Sequence, residues 1–221
     1  MRSSTSPILL ILAVSLLAVP PSSALDYPLS DTSVRSAYFL GQRYKASSAE
    51  FLGPYTKYLP APKTGPYIEN VQLLTPFAQL VREYSRRVED YSAQQAQLDH
   101  HGREDNIIFT VKILLTPTYS RILSPSEMSA SNASNSQNLR PSIFWKNFEF
   151  RAFDDESKRE PLSVSGKGDF SCGKYGNCLL IGATVNLEFP ASDFSSQRAT
   201  FEVTGPDGQT VHADFDLASL R

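Results

Sequence analysis

The sequence predicts an α+β fold, in which N-terminal helices pack on an immunoglobulin-like antiparallel β-sandwich. Three observations favour this class. Apolar residues recur at helical spacing before residue 105, apolar and polar residues alternate after it, and turn residues rather than helices separate the later segments. We therefore expect a tyrosine-rich helical region with one possible strand over residues 25–105 and a β-sandwich domain over residues 106–221.

The first 24 residues have the pattern of a secretory signal peptide. Arg2 supplies a basic start, residues 7–19 are apolar apart from Ser15, and residues 22–24 offer small side chains for cleavage. The apolar stretch is shorter than the roughly 20 residues that cross a bilayer. The pattern predicts a secreted or periplasmic product that begins at Leu25 and has no membrane span after cleavage; a retained anchor is the alternative.

The charge distribution argues against one class of partner. The chain carries 21 Lys and Arg residues against 23 Asp and Glu residues, for a formal net charge of −2. Both signs are spread over the whole chain, without a basic stripe or an acidic tail. A surface that follows nucleic-acid phosphates needs clustered cations, so we do not expect nucleic acid as a partner.

The two cysteines fit an oxidising compartment. Cys172 and Cys178 flank a short segment that is rich in turn-forming residues. Such a pair in an exported protein predicts a structural disulfide across a hairpin. A redox pair is the alternative, but the two-residue spacing of thioredoxin-like motifs is absent.

The early segment predicts three helices. The first covers Asp31 to Tyr44, and the second covers Ser47 to about Leu59 with Pro54 as a possible break. The third opens at Thr75 as the cap, with Pro at the first helical position. Its predicted apolar face comprises Phe77, Leu80, Val81, Tyr84, Val88, Tyr91 and Leu98. Helical spacing favours core packing for this stripe, whereas a ligand platform that includes Tyr84 and Tyr91 is the alternative.

The later segments predict strands. A strand from Asn106 has one face composed of Ile107, Phe109, Val111, Ile113 and Leu115. Further strands are predicted at 143–153, 162–170, 179–189, 199–204 and 209–216, with 68–74 as a possible seventh. In the strand over 143–153, Trp145 falls on the more polar face, so we predict either an exposed binding anchor or a ring covered by a helix or loop. Residues 124–140 are dense in Ser and Asn and predict a mobile loop.

The last hairpin can be assigned a register. Phe201 and Val203 must share a core face with Val211 and its alternate neighbours, so Val203 opposes Val211. The intervening loop is then residues 206–208, with Gly208 in the left-handed position.

The catalytic motifs that we sought are absent from the sequence: G-x-S-x-G, H-E-x-x-H, G-x-x-x-x-G-K-[ST] and G-x-G-x-x-G. The titratable clusters worth testing contain Asp99, His100, His101, His212 and Asp214. The first three residues lie at the predicted end of the third helix, where we expect a solvated helix terminus rather than a metal site. The register places His212 opposite Glu202, which predicts a surface ion pair.

These patterns predict an exported, non-catalytic binding or structural protein of the cell envelope or exterior, without a cofactor. The partner would be a protein or another envelope component, and Trp145, Tyr84 and Tyr91 are the candidate binding residues. The alternative is a secreted hydrolase with a site built from scattered acidic and His residues. A third possibility is an assembly subunit that pairs through an edge strand.

Overall fold

The computed structural model describes residues 25–43, 45–62, 65–86, 91–116, 121–123, 141–174 and 178–221. The helices are α1 (Asp31–Gly41), α2 (Lys45–Leu52), α3 (Pro76–Tyr84) and α4 (Ala93–His100). The strands are β1 (Thr56–Tyr58), β2 (Pro66–Leu74), β3 (Asn106–Leu115), β4 (Arg121–Leu123), β5 (Glu149–Asp154), β6 (Ser157–Arg159), β7 (Ser163–Cys172), β8 (Cys178–Pro190), β9 (Arg198–Thr204) and β10 (Thr210–Asp216). The predicted signal segment and the predicted loop over 124–140 lie outside the described residues.

The strands form two antiparallel sheets, so the fold is α+β with a sheet-rich core. The first sheet has the order β1-β2-β3-β8-β7, and the second has the order β10-β9-β5-β6. Strand β4 pairs with β8 residues that β7 also contacts, so β4 lies on the β3 side of β8. Among the described residues, no helix is long and apolar enough to cross a membrane.

The two sheets share one core. The period-two pattern of β3 correctly predicts which face of this strand is buried in it. Alternate β3 side chains are buried from Ile107 to Leu115. On the same face, the ring of Phe109 stacks on Phe201 of the second sheet with ring centroids 4.5 Å apart. Phe215 approaches Phe109 edge-on at 6.0 Å. Aromatic side chains therefore join the sheets at their centre, where each ring buries a large apolar area.

The helices form a smaller apolar cluster of their own. Its buried members are Val34, Ala37, Phe77, Leu80, Val81, Tyr84 and Ala96. Helix α1 crosses α3 so closely that a Cβ added at Gly41 would lie 2.7 Å from the carbonyl oxygen of Val81.

The first predicted helix is confirmed, but it ends earlier than expected. The predicted terminus was Tyr44, whereas α1 ends at Gly41. The second begins at Lys45 and gives way to a 3₁₀ helix that contains Pro54.

The prediction of one long third helix is wrong. Thr75 does cap α3, since its hydroxyl accepts from the N–H of Ala78, but α3 ends at Tyr84. A new helix, α4, begins after Ser92, whose hydroxyl accepts from the N–H of Gln95 at 3.1 Å. The Ser92 hydroxyl thus pairs with a backbone N–H that the first turn of α4 leaves without a helical partner. Helix α4 then packs on α1. Leu98 consequently lies at the surface, 69% exposed, instead of on the buried stripe.

The predicted strand over 143–153 is wrong in its first half. Phe144–Asn147 is a 3₁₀ helix, and β5 begins only at Glu149. The ring of Trp145 lies over Gly166 of β7, where an added Cβ would be 2.6 Å from its Cε2 atom. Trp145 is 7% exposed, so burial of the indole against a glycine determines the local conformation here rather than strand alternation.

The register of the last hairpin is confirmed. Val203 pairs with Val211, and His212 pairs with Glu202. Gly205 donates its N–H to the carbonyl of Gln209 at 2.8 Å, which leaves residues 206–208 as the loop. Gly208 has a φ of 79°, the left-handed conformation that glycine adopts without steric cost.

Cys172 and Cys178 form a disulfide that joins β7 to β8. Replacing both by Ser is expected to lower the free energy of unfolding by about 2 kcal/mol, because the closed loop is short. For a chain of this size that loss corresponds to a melting temperature lower by about 4 to 8 °C. Intact mass before and after reduction and alkylation checks the bond, and thermal melts check the loss. Two free thiols in the native protein would contradict the prediction.

Candidate functional site

A groove with mostly apolar walls is lined by residues of both sheets. Its walls are the loop before β2, the first residues of β2 and the β9–β10 hairpin, and its volume is about 350 Å³. The lining residues are Leu59, Pro60, Ala61, Pro62, Pro66, Tyr67, Ile68, Phe148, Val203, Gly205, Asp207, Gln209 and Val211. We call this feature the mouth groove.

Hydrogen bonds anchor the loop that forms one wall of the mouth groove. The N–H of Leu59 donates to the carbonyl of Glu69 at 2.9 Å, which fixes the loop where it leaves β1. At the far end of the loop, Thr116 and Gly65 exchange two hydrogen bonds, of 3.0 and 3.2 Å. The prolines between these anchors restrict the backbone and lack N–H donors. Hydrogen bonds therefore hold the described part of the loop at both of its ends.

The mouth groove offers contact surface more than reactive groups. Ile68 and Val203 form a buried floor, and Tyr67 is half-buried in the wall. Among the lining residues the single carboxylate is Asp207. It accepts a hydrogen bond from the N–H of Gln209 at 3.1 Å, within the β9–β10 hairpin. A concave site with apolar walls and few polar groups is typical of ligand binding through shape.

A second groove is wider and charged. It measures about 770 Å³ and is lined by Lys57, Asp155, Ser196, Gln197, Arg198, Asp214, Phe215 and Asp216. Its charges are already engaged within the fold. Arg198 pairs with Asp155 at 3.0 Å, and the ammonium of Lys57 lies 5.9 Å from the ring centroid of Phe215.

The predicted binding residues do not share a surface. Trp145 is buried on β7, whereas Tyr84 is buried in the helix cluster at 2% exposure. Tyr91 is half-buried beside Tyr84, with ring centroids 5.7 Å apart, and its hydroxyl donates to Asp99 at 2.6 Å. Core packing accounts for the tyrosine stripe, and the role of these residues in binding stays a prediction.

The histidine and acid clusters lie on separate elements. His100 faces Asp105 at 3.3 Å, and the N–H of Leu29 donates to the other oxygen of that carboxylate at 2.9 Å. His101 is exposed at the end of α4. These contacts join the N-terminal segment and the end of α4 to the residue that precedes β3.

The second cluster lies on the outer face of β10. His212 pairs with Glu202 at 3.2 Å and is about half exposed, as the register predicts. Asp214 accepts the hydroxyl of Thr200 at 2.7 Å. The hydrogen bonds and ion pairs of each cluster join it to its own surroundings. Within the described ranges, no three His, Cys, Asp or Glu side chains form a group suited to a metal ion.

A buried tyrosine joins the helices to the last residue of the chain. The hydroxyl of Tyr55 donates to the carbonyl of Arg221 at 2.9 Å, and the guanidinium of Arg221 lies 4.3 Å from the ring centroid of Phe77. Burial raises the pKa of Tyr55 above its ordinary value, although the hydrogen bond with the backbone of Arg221 acts in the opposite direction. Tyr55 is therefore a neutral donor at physiological pH.

Neither the protein-family models nor the curated protein sequences contain a match to this chain.

Proposed function

We propose that the protein is exported and acts as a non-catalytic binding or structural component of the cell envelope or exterior. The signal-like N-terminus supports export, and the Cys172–Cys178 disulfide suits an oxidising compartment. The two antiparallel sheets around one aromatic core support an immunoglobulin-like sandwich, a class that hosts many binding functions.

The mouth groove is the observation that carries a binding role. Its volume of about 350 Å³ lies at the lower end of the range of small-ligand sites, and it matches one or two apolar side chains. Pro60, Pro62 and Tyr67 provide rigid walls that lose little conformational freedom when a partner docks. The proposed occupant is an apolar or aromatic segment of an envelope protein.

Site-specific photo-crosslinking tests this role. A benzophenone amino acid replaces Tyr67 in the mouth groove of the exported protein, and the cells are irradiated. We expect one adduct of defined mass, because an occupant of the groove lies within reach of this position. Ala61→Trp, which adds an indole to the groove wall, should abolish the adduct.

Phe39 provides the matched control. It is an aromatic residue on α1, half exposed and outside the lining of the groove. The same photoreactive group at Phe39 should give no such adduct. Equal labelling at both positions, or labelling at Tyr67 that survives Ala61→Trp, would contradict the proposed site.

A further inference from the structure

Strand β7 is the longest edge strand in the described part of the chain. It has ten residues and, among the described residues, pairs with β8 alone. The other edge strands are shorter: β1, β4 and β6 have three residues each, and β10 has seven with two aspartates. Proteins commonly protect long edges with proline, clustered charge or a covering element. Strand β7 contains no proline and one charge of each sign.

The backbone groups that face outward from β7 can be assigned. The backbone N–H of Ala191 donates to the backbone carbonyl of Asp105, and this pair continues the register between β8 and β3. The odd-numbered β8 residues from Ala183 onward therefore point their N–H and C=O groups at β3. Even-numbered β8 residues then face β7, where Thr184 pairs with Lys167. These directions alternate along a strand, so Val164, Gly166 and Gly168 present their backbone groups to the open edge. The register with β8 shifts between Asp169 and Phe170, where the extra residue, Ile181, lies on β8 and β7 continues without an insertion.

The Cys172–Cys178 pair supports the same assignment. Its Cα atoms are 4.0 Å apart, close to the spacing of about 4.5 Å at antiparallel pairs that exchange no backbone hydrogen bonds. Cys172 therefore directs its N–H and C=O away from β8.

The side chains of β7 are complementary to a second copy of the strand. An antiparallel pairing centred on Gly168 places Lys167 opposite the partner's Asp169, and Asp169 opposite the partner's Lys167. Both side chains lie on the outer face of the sheet, because residues two apart in a strand share a face. In this register Gly168 faces its own copy through outward backbone groups, which is the geometry that hydrogen-bonded pairs require.

Apolar surface accompanies the edge. Leu162 and Val164 are 58% and 46% exposed at the start of β7. Ile143 is 50% exposed. Its sequence neighbours Ser142 and Trp145 lie against Gly168 and Gly166 of β7, on the inner face of the sheet. Leu162, Val164 and Ile143 account for three of the seven large hydrophobic residues exposed in the described part of the chain.

We propose that two copies of the protein associate through β7, antiparallel about a two-fold axis at Gly168, to form one continuous sheet. A lysine within an edge strand ordinarily opposes such pairing. Here Asp169 follows on the same face, so the two charges select one register in a glycine-rich strand that would otherwise slip. The self-matching pattern identifies a second copy, rather than another protein, as the occupant of this edge.

Charge reversal in the full exported protein tests the register. In the Lys167→Glu variant, an acid at position 167 of each copy faces Asp169 of the other. In the Asp169→Lys variant, a lysine at position 169 of each copy faces Lys167 of the other. Sedimentation velocity from micromolar to millimolar concentration should show a dimer for the parent protein and a dissociation constant weaker by about tenfold for each variant. An equimolar mixture of the two variants should dimerise like the parent, because each acid then faces a base.

Two further variants complete the test. Lys158→Glu makes the same charge change on β6 and should leave the dimer intact. Val164→Pro removes an outward N–H without removing a bond to β8 and should prevent association, while the circular dichroism and the disulfide remain as in the parent. A parent protein that stays monomeric, single variants that dimerise like the parent, or a folded mixture that stays monomeric would each overturn the proposal.

Discussion

Phe201→Asp is expected to unfold the protein or make it aggregate. Phe201 has no exposed surface and stacks on Phe109 between the two sheets. Loss of the ring alone costs about 3 to 5 kcal/mol, which is a large part of the roughly 5 to 15 kcal/mol that stabilises a typical domain. The aspartate adds a carboxylate with no partner in an apolar core. Soluble yield and a thermal melt followed by circular dichroism check this outcome.

Thr210→Asp is the control for the same hairpin. Thr210 is exposed on the outer face of β10, where its hydroxyl lies 2.9 Å from that of Thr204. Its replacement should cost less than about 1 kcal/mol, because the new charge stays in water. Equal tolerance of aspartate at positions 201 and 210 would refute the burial pattern of the hairpin.

The hairpin shows why part of this fold is readable from the sequence. A strand with one buried face repeats its apolar residues every second position, so the sequences of β3, β9 and β10 indicate both their type and their inner face. The turn adds a second local signal, since Gly208 must adopt a left-handed conformation. Together these signals leave one register for Val203 and Val211.

The errors have a common physical cause. Trp145 leaves the strand pattern because a glycine 21 residues later, Gly166, offers a flat surface for its ring. The third helix breaks because Ser92 can cap a new helix that packs on α1. Both outcomes depend on tertiary contacts, which override local propensity and leave no periodic signature.

The mouth groove was not predicted, for a related reason. Its walls come from the loop before β2, from Phe148 and from the β9–β10 hairpin, and none of these segments carries a motif. Periodicity identifies which residues are buried, whereas this groove depends on how segments that are distant in sequence pack together. The same limit applies to Asp154 on β5. Its contribution to stability depends on contacts with Arg159, Ser195 and Ser196, which the sequence pattern does not reveal.

Asp154→Asn is expected to lower the free energy of unfolding by about 2 to 3 kcal/mol. The carboxylate is 2% exposed, pairs with Arg159 at 3.1 Å and accepts the N–H groups of Ser195 and Ser196. An amide has the same shape, but its NH₂ group would face donors in place of one acceptor. The loss stays moderate because Arg159 remains 30% exposed and can still be hydrated. Thermal melts should show a decrease of about 5 to 10 °C.

Asp155→Asn separates this buried role from a general effect of charge on the β5–β6 hairpin. Asp155 is adjacent in sequence and pairs with Arg198 at 3.0 Å, but both of these side chains are more than half exposed. Its φ of 54° is left-handed, and asparagine tolerates that conformation as aspartate does. Solvent screening limits the exposed pair to about 0 to 1 kcal/mol, so the melting temperature should change by less than about 4 °C. Equal decreases for the two variants would show that Asp154 holds the segment at Ser195 and Ser196 no more firmly than a surface charge would.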